Sequence, residues 1–399
     1  MSDNYEVIVI GGGAVGLAAA RECGARGRRV LLLEAGAFFH DDGSSAGATR
    51  QFRIQHDQAT PARLVLEALP LWRDLEAQAG VPLIHPVGCL WFGDDDAAGS
   101  TGDIKSAVAV MDALSLPYES LDASQLEHRF GFHRLPPSWG GFLQPDGGLI
   151  DVGTTLRTLH GIGEAMPHVT LRDRSPVTRI ERGGDRWSVT AGEHTYGADK
   201  LVVAPGPFVD PVLAHFGLRL DRTLWSMVNV WFPIRHEPAQ GPVWVNLRSP
   251  GPSEDPGLYY GFPEVPFDRA GYARVGGNFP SPVLDDIRAY DKNADPAVVR
   301  RIAGWVKEHM PGLDPEPAFA STCVAAQLIR PGDPYALRRE FLLDHAPPSV
   351  EGHDDIVICA TGWVFKLIPL VGRICADLVC DGTTSYDISP FQISDDTLR

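Results

Sequence analysis

Residues 5–10 (YEVIVI) form a short β-branched apolar run, the pattern of a strand buried on both faces. GGGAVG follows, and from Ala14 to about Arg26 the composition turns helical, with Leu17 and Arg21 four apart. Residues 29–34 (RVLLLE) predict a second buried strand ending at Glu34. Further along, 176–191 reads as a hairpin: PVTRIE, a turn at Gly183-Gly184-Asp185, then RWSVT. KLVVAPG (200–206) and DIVICATG (355–362) repeat the pattern of a buried strand running into glycine, and the second leads into a helical stretch, GRICADLV (372–379). Between them WSMVNVWFPI (225–234), PVWVNL (242–247), LYYGF (258–262) and YARVGG (272–277) predict strands of a second sheet, followed by a helix over 295–309. The expected fold class is α/β, with α+β character: a Rossmann-type nucleotide-binding domain and a second, mostly antiparallel sheet domain for substrate. The first domain is expected to be discontinuous (1–80, 149–216 and 320–399), with 81–148 and 217–319 forming the other.

The first 34 residues also carry chemistry. Gly11, Gly13 and Gly16 have the GxGxxG spacing. The first permits a tight turn, the second lets backbone N–H groups approach a pyrophosphate, and the third lets helix and strand pack closely. The helix N-terminus then presents its partial positive charge to the phosphates. Glu34, at the end of the next strand, is placed to accept hydrogen bonds from a ribose. Strand, glycine turn, helix, strand and terminal acid together predict a dinucleotide site without choosing between FAD and NAD.

Composition narrows the class. Hydrophobic residues make 44% and charged residues 22%, an ordinary globular balance. The net charge of −16 disfavours a nonspecific grip on nucleic acid, and an anionic small molecule would need a local basic pocket. Six cysteines contain no CxxC pair and no zinc-type spacing, and the 13 histidines form no HxxxH pair, so no metal site is expected. No apolar run approaches the roughly 18 residues of a membrane span. The opening MSDNYEV lacks the features of a secretory signal, so a cytoplasmic enzyme is expected.

GGGAVG with Glu34, SSAGATRQFR (44–53), STC (321–323) and TGWVFKLIPLVGR (361–373) together resemble the amine-oxidising flavoproteins of the monomeric sarcosine oxidase family. The likeness continues through LPLWRDLE (69–76), LWFGD (90–94) and GFLQPDGGLID (141–151). It implies FAD, covalently attached by a thioether at Cys323, a residue that by composition alone is equally a small buried one. It implies that Arg53 and Lys366 grip a substrate carboxylate, the guanidinium holding both oxygens and the ammonium adding a point charge. Surface positions are the usual fate of Arg and Lys, but Lys366 stands in the apolar run WVFKLIPLV, where a charge needs a partner. Arg50 matches a family residue near the flavin, and Ser44 and Ser45 match positions lining it, though serines in such loops also serve as turn formers. Gly362 and Trp363 open the block from which a family helix aims its N-terminus at the flavin, where reduction places negative charge. Tyr260 matches a substrate-side tyrosine. Both aromatic residues have a plain core role as the alternative. The activity implied is oxidation of a carboxylate-bearing cyclic amine or imine, of the piperideine-2-carboxylate or pipecolate type, towards a picolinate product. The expected partners are that small carboxylate and O2, with no nucleic acid or membrane, and the chain is expected to act as a monomer.

Three positions depart from the family pattern. Arg274 stands where sarcosine oxidases use a lysine to activate oxygen, and Asn278 where relatives carry a histidine or an acid. Thr101, with Asp103 close by, stands where a relative carries an acid. A changed ring or a different amino acid is therefore open as substrate. Arg274 also opens a second reading, a dehydrogenase passing electrons to a quinone or a protein. A hydrolase is a third, since Gly43-Ser44-Ser45-Ala46-Gly47 fits GxSxG, but that motif needs a strand entering and a helix leaving the serine. A flavin fold serving only as a binding module is the last.

Overall fold

The computed structural model describes residues 4–95, 97–99, 102–235, 241–248, 258–277, 283–329, 337–339, 341–360, 362–394 and 398. The expected opening unit is present: β1 (Asn4–Ile10), α1 (Ala14–Ala25) and β2 (Val30–Leu33). β1 pairs in parallel with β2 on one side and with His194–Val203 on the other. Val169–Arg172 extends the sheet beyond β2, and Ile356–Ala360 runs parallel to the end of His194–Val203. A parallel sheet is covered on both faces, which is why these strands read as unbroken apolar runs. Val7 and Val9 pack with Leu17, Ala18 and Cys23 of α1 and with the helix Ile368–Asp381, while Ile8 and Ile10 pack on the opposite face with Val189, Leu201 and Val203. The hairpin Val177–Gly183/Arg186–Ala191 adds an antiparallel edge.

The second sheet is antiparallel but for one pair. It runs Phe319–Ile329, Thr223–Pro233, Tyr272–Gly277, Leu258–Phe262, Val243–Leu247, Cys89–Gly93, Gly140–Gln144 and Glu119–Asp122, with Val243–Leu247 parallel to Cys89–Gly93. Side chains alternate across it. Val228, Val230, Phe232, Val275, Tyr259 and Trp244 pack on the back against Val298, Ile302 and Trp305 of the helix Pro296–His309. Front-facing positions are left to line a cavity.

The pairing corrects the expected domain boundary at 319/320. Phe319–Ile329 lies along the whole of Thr223–Pro233, so this strand belongs to the second sheet, and the chain returns to the first sheet only at Leu342–His345. Two further features had no counterpart in the sequence reading. One is β3 (Thr49–Phe52), which forms a small antiparallel sheet with Gly148–Asp151 and Ile84–His85. The other is α2 (Ala59–Ala79), whose Leu64, Val65, Ala68, Leu71, Trp72 and Leu75 are buried. Asn278 and Thr101 lie outside the described residues. Asp103 caps the helix Ile104–Ala113, accepting from the Ser106 N–H at 2.7 Å.

Candidate active site

At the nucleotide end, Gly11 takes φ 108°, and a Cβ there would meet the Ala204 carbonyl oxygen at 2.4 Å. Gly16 lets α1 cross the turn, since a Cβ would come within 1.8 Å of the Gly11 oxygen. Gly13 is the N-cap of α1, and Ser45 Oγ accepts from the Ala14 N–H at 3.1 Å. Glu34 accepts from the Gly12 N–H at 2.6 Å and from the Gly36 N–H at 2.7 Å, so it secures the glycine turn as well as facing the cavity. Burial opposes its charge, but His40 and the N–H groups of Gly36 and Gly12 together hold the carboxyl below the usual range. His40 Nε2 lies 3.4 Å from Glu34 Oε1, and that contact raises the imidazole above its ordinary value.

At the other end, the front of the second sheet presents Cys323, Met227, Asn229, Tyr260, Phe262 and Arg274 to one space. Their register explains this: Cys323 stands opposite Met227, Gly276 stands between Asn229 and Tyr260, and Arg274 stands beside Phe262. Gly276 is required here, because a Cβ would lie 2.4 Å from Tyr260 Cζ and 2.5 Å from its hydroxyl oxygen. The Tyr260 ring occupies the space that the missing side chain leaves. Its O–H donates to Asn229 Oδ1 at 3.4 Å, and Asn229 Nδ2 lies 3.8 Å from Cys323 Sγ. Burial pushes the Tyr260 phenol well up, so its hydroxyl stays protonated and donating. Arg274 donates to Thr49 Oγ1 and lies over the Phe262 ring, 3.9 Å from its centre. Burial draws its guanidinium below its ordinary value.

Gly276→Ala should force Tyr260 off its seat and cost about 1–3 kcal/mol through overpacking. The test is a double-mutant cycle on thermal or denaturant unfolding. In a Tyr260→Ala background the added methyl should cost almost nothing; an equal cost in both backgrounds contradicts the seating of the ring.

The third wall comes from 44–53 and 362–366. Ser44 Oγ donates to the Val324 carbonyl at 2.7 Å, joining this loop to the strand that carries Cys323. Arg50 braces the loop, donating to the carbonyls of Ser44 (2.7 Å), Ala46 (2.6 Å) and Thr49 (2.8 Å). Arg53 is buried, donates to the Gln55 carbonyl at 3.0 Å and lies 5.3 Å from the centre of the Trp91 ring. Gly362, at φ 83°, turns the chain after Ile356–Ala360, and its N–H donates to the Ala326 carbonyl at 3.0 Å. Lys366 is also buried, in a tight turn leading into the helix Ile368–Asp381, and its Nζ donates to the Trp363 carbonyl at 2.9 Å. Trp363 lines the cavity.

The cavity is about 770 Å³ and reaches from Gly11–Gly13 to Cys323 and Lys366, within the roughly 300–1,000 Å³ of small-molecule and cofactor sites. Its lining includes every expected site residue that is described except Gly16, whose place is the helix–turn contact. Charge is unevenly distributed along it. Glu34 and Asp42, the carboxylates among the described lining residues, belong to the glycine-turn end, whereas Arg50, Arg53, Arg274 and Lys366 belong to the other. A dinucleotide fits these residues: bare glycine backbone at a helix N-terminus for the pyrophosphate, Glu34 for a ribose, and a wide space beside Cys323 for a ring system. The GxSxG reading fails, because Ser44 and Ser45 sit well inside the loop between β2 and β3, so no strand enters the serine directly and a strand, not a helix, follows. Asn229, His40 and Thr49 are members of the site that sequence reasoning missed.

The chain matches the FAD dependent oxidoreductase family over residues 6–378. Among its relatives, the peroxisomal sarcosine oxidase of Homo sapiens is 30% identical over 98% of this chain and 96% of its own. A Dictyostelium discoideum chain described as a bifunctional amine oxidase is also 30% identical, over 99% of this chain, which spans 37% of that longer protein. Among solved structures, NikD, described as an unusual amino acid oxidase essential for nikkomycin biosynthesis, superposes with a TM-score of 0.90 at 41% identity, covering 98% of each chain. The chain thus belongs to the FAD dependent oxidoreductase family and is an FAD-dependent enzyme of the sarcosine oxidase type.

Proposed function

We propose that the protein is an oxidase of a carboxylate-bearing cyclic amine or imine, of the piperideine-2-carboxylate or pipecolate type, with a picolinate-type product. In this reading O2 is the acceptor and hydrogen peroxide the second product. The observation that carries the proposal is the placement of Arg53 and Lys366, both buried, on the cavity end that also holds Arg50 and Arg274. In a chain of net charge −16 such a local positive end is the pocket an anionic substrate requires.

In this account Arg53 supplies a planar fork for both carboxylate oxygens, and Lys366 supplies a compact charge that fixes the ring about that anchor. Trp363 and Tyr260, which line the same cavity, would wall the ring and limit its orientations. FAD, when bound, supplies the two-electron acceptor, and the family likeness supports its thioether attachment at Cys323. Arg274 would keep a positive charge at the position where sarcosine oxidases use a lysine to activate oxygen. One second reading, a dehydrogenase using a quinone or a protein acceptor, rests on Arg274 standing where sarcosine oxidases use a lysine to activate oxygen.

Aerobic incubation of the holoenzyme with pipecolate, proline and piperideine-2-carboxylate, with peroxide measured, is the test. Peroxide from at least one cyclic acid is expected. Silence across all three with oxygen, but turnover with an artificial acceptor, would establish the second reading. Silence with both would remove the substrate assignment.

A further inference from the structure

We propose that Asn229 is the positioning residue that readies the Cys323 sulfur for attachment to the flavin. This rests on the attachment proposed above and concerns a residue that takes no part in the carboxylate clamp. Asn229 is 7% exposed, on the front of the Thr223–Pro233 strand, between Tyr260 and Cys323. Its amide is held at both ends: the oxygen accepts from the Tyr260 hydroxyl at 3.4 Å, and the nitrogen faces Cys323 Sγ at 3.8 Å. That orientation is the one a thiolate needs. A thiolate accepts hydrogen bonds and donates none, so the NH2 end must face it, and Tyr260 can then satisfy the other end only by donating. Gly276 completes the device by leaving room for the tyrosine ring.

The surroundings of the cysteines differ. Contact with Cys380 and burial push the Cys23 thiol up, contact with Cys359 and burial push Cys375 up, and burial pushes Cys89 to about 12. Cys380 is drawn down to about 7 by Cys23, Arg28 and Arg26, but it is not among the cavity-lining residues. Cys323 is half-buried on the cavity wall, within electrostatic reach of Arg274. A partly exposed sulfur with a cation nearby and an amide donor against it has the environment of a reactive cysteine. In the attachment, one S–H bond and one C–H bond of a ring methyl group are lost and one S–C bond forms. The two electrons and two protons leave to dioxygen as hydrogen peroxide, so sulfur deprotonation is the part this chain controls.

Asn229→Leu keeps the branched four-atom skeleton, adds some bulk, and removes both polar ends. Asn229→Asp keeps the acceptor for Tyr260 but sets negative charge against the sulfur. Each full-length variant is compared with the parent by total flavin bound, by the share retained after acid precipitation, and by the pH profile of Cys323 alkylation in chain produced under riboflavin limitation. Total flavin should stay near the parent level, while the attached share falls at least about tenfold, most in Asn229→Asp. The alkylation midpoint of Asn229→Asp should rise by one pH unit or more, a tenfold change per unit at fixed pH. Parent-like attachment and an unshifted profile in both variants would overturn the proposal. If the parent itself releases all its flavin to acid, the attachment reading fails, and the alkylation profile alone decides the role of Asn229.

Discussion

Lys366→Gln is expected to lower kcat/KM for a carboxylate-bearing amine by about two to three orders of magnitude, in line with the 2–5 kcal/mol typical of losing one member of a buried, hydrogen-bonded charge contact. Gln keeps most of the length and loses the charge. The side chain is 3% exposed and its Nζ is already held by the Trp363 carbonyl at 2.9 Å, so it approaches substrate as a fixed point and little ordering remains to be done on binding. Arg53→Lys should be damaging too, because it retains charge but loses the planar fork and the stacking on Trp91. The same substitutions should change turnover of an amine lacking the carboxylate by far less. Equal losses on both kinds of substrate would mean that these cations support the fold of the site rather than grip an anion.

Cys323→Ala should abolish acid-stable flavin altogether. The parent is expected to keep its yellow colour in the precipitate, and the variant to shed it into the supernatant. Because Ala remains compatible with the pairing of Phe319–Ile329 on Thr223–Pro233, the variant should fold and bind FAD without a covalent bond. The cavity supports that second step: the glycine turn, Glu34 and the α1 N-terminus would hold the nucleotide half independently of residue 323. A variant that keeps acid-stable colour would move the linkage to another residue, and one without any flavin would make the thioether essential to binding.

The opening of the chain was legible because its signals are local. A strand buried on both faces is apolar throughout, and the turn that follows needs glycine for reasons contained in six residues, including the Gly16 contact with the Gly11 oxygen. Four strands of the second sheet, at 225–234, 242–247, 258–262 and 272–277, were legible from their β-branched and aromatic content, as was the Pro296–His309 helix behind them, whereas Cys89–Gly93, Glu119–Asp122, Gly140–Gln144 and Phe319–Ile329 were not read as strands. The three-stranded sheet around β3 was not, since its members are two to four residues long. α2 carries a readable helical spacing of apolar residues, broken by Pro70. The domain boundary at 319/320 failed because Phe319–Ile329 was not read as a strand, and its pairing with the distant Thr223–Pro233 leaves no local pattern in the sequence.

The site itself is assembled over long separations. Ser44 meets Val324 across 280 positions, and Arg274 meets Thr49 across 225. Nothing in composition or spacing joins such residues, and the family likeness alone put Arg53, Cys323 and Lys366 in one place. Asn229 did leave a trace. In WSMVNVWFPI every second residue from Trp225 faces forward, and a lone amide on that face of an apolar strand marks a polar task. His40 left less, being one polar residue in a loop of several.

An anion is what the positive end of the cavity is expected to receive. Titrating the flavin absorbance of the holoenzyme with pipecolate and, separately, with piperidine measures this directly. Pipecolate should give a saturable spectral change, weakened about a hundredfold in Lys366→Gln, and piperidine should give little at the same concentrations. Piperidine binding as tightly as pipecolate, or Lys366→Gln titrating like the parent, would contradict it.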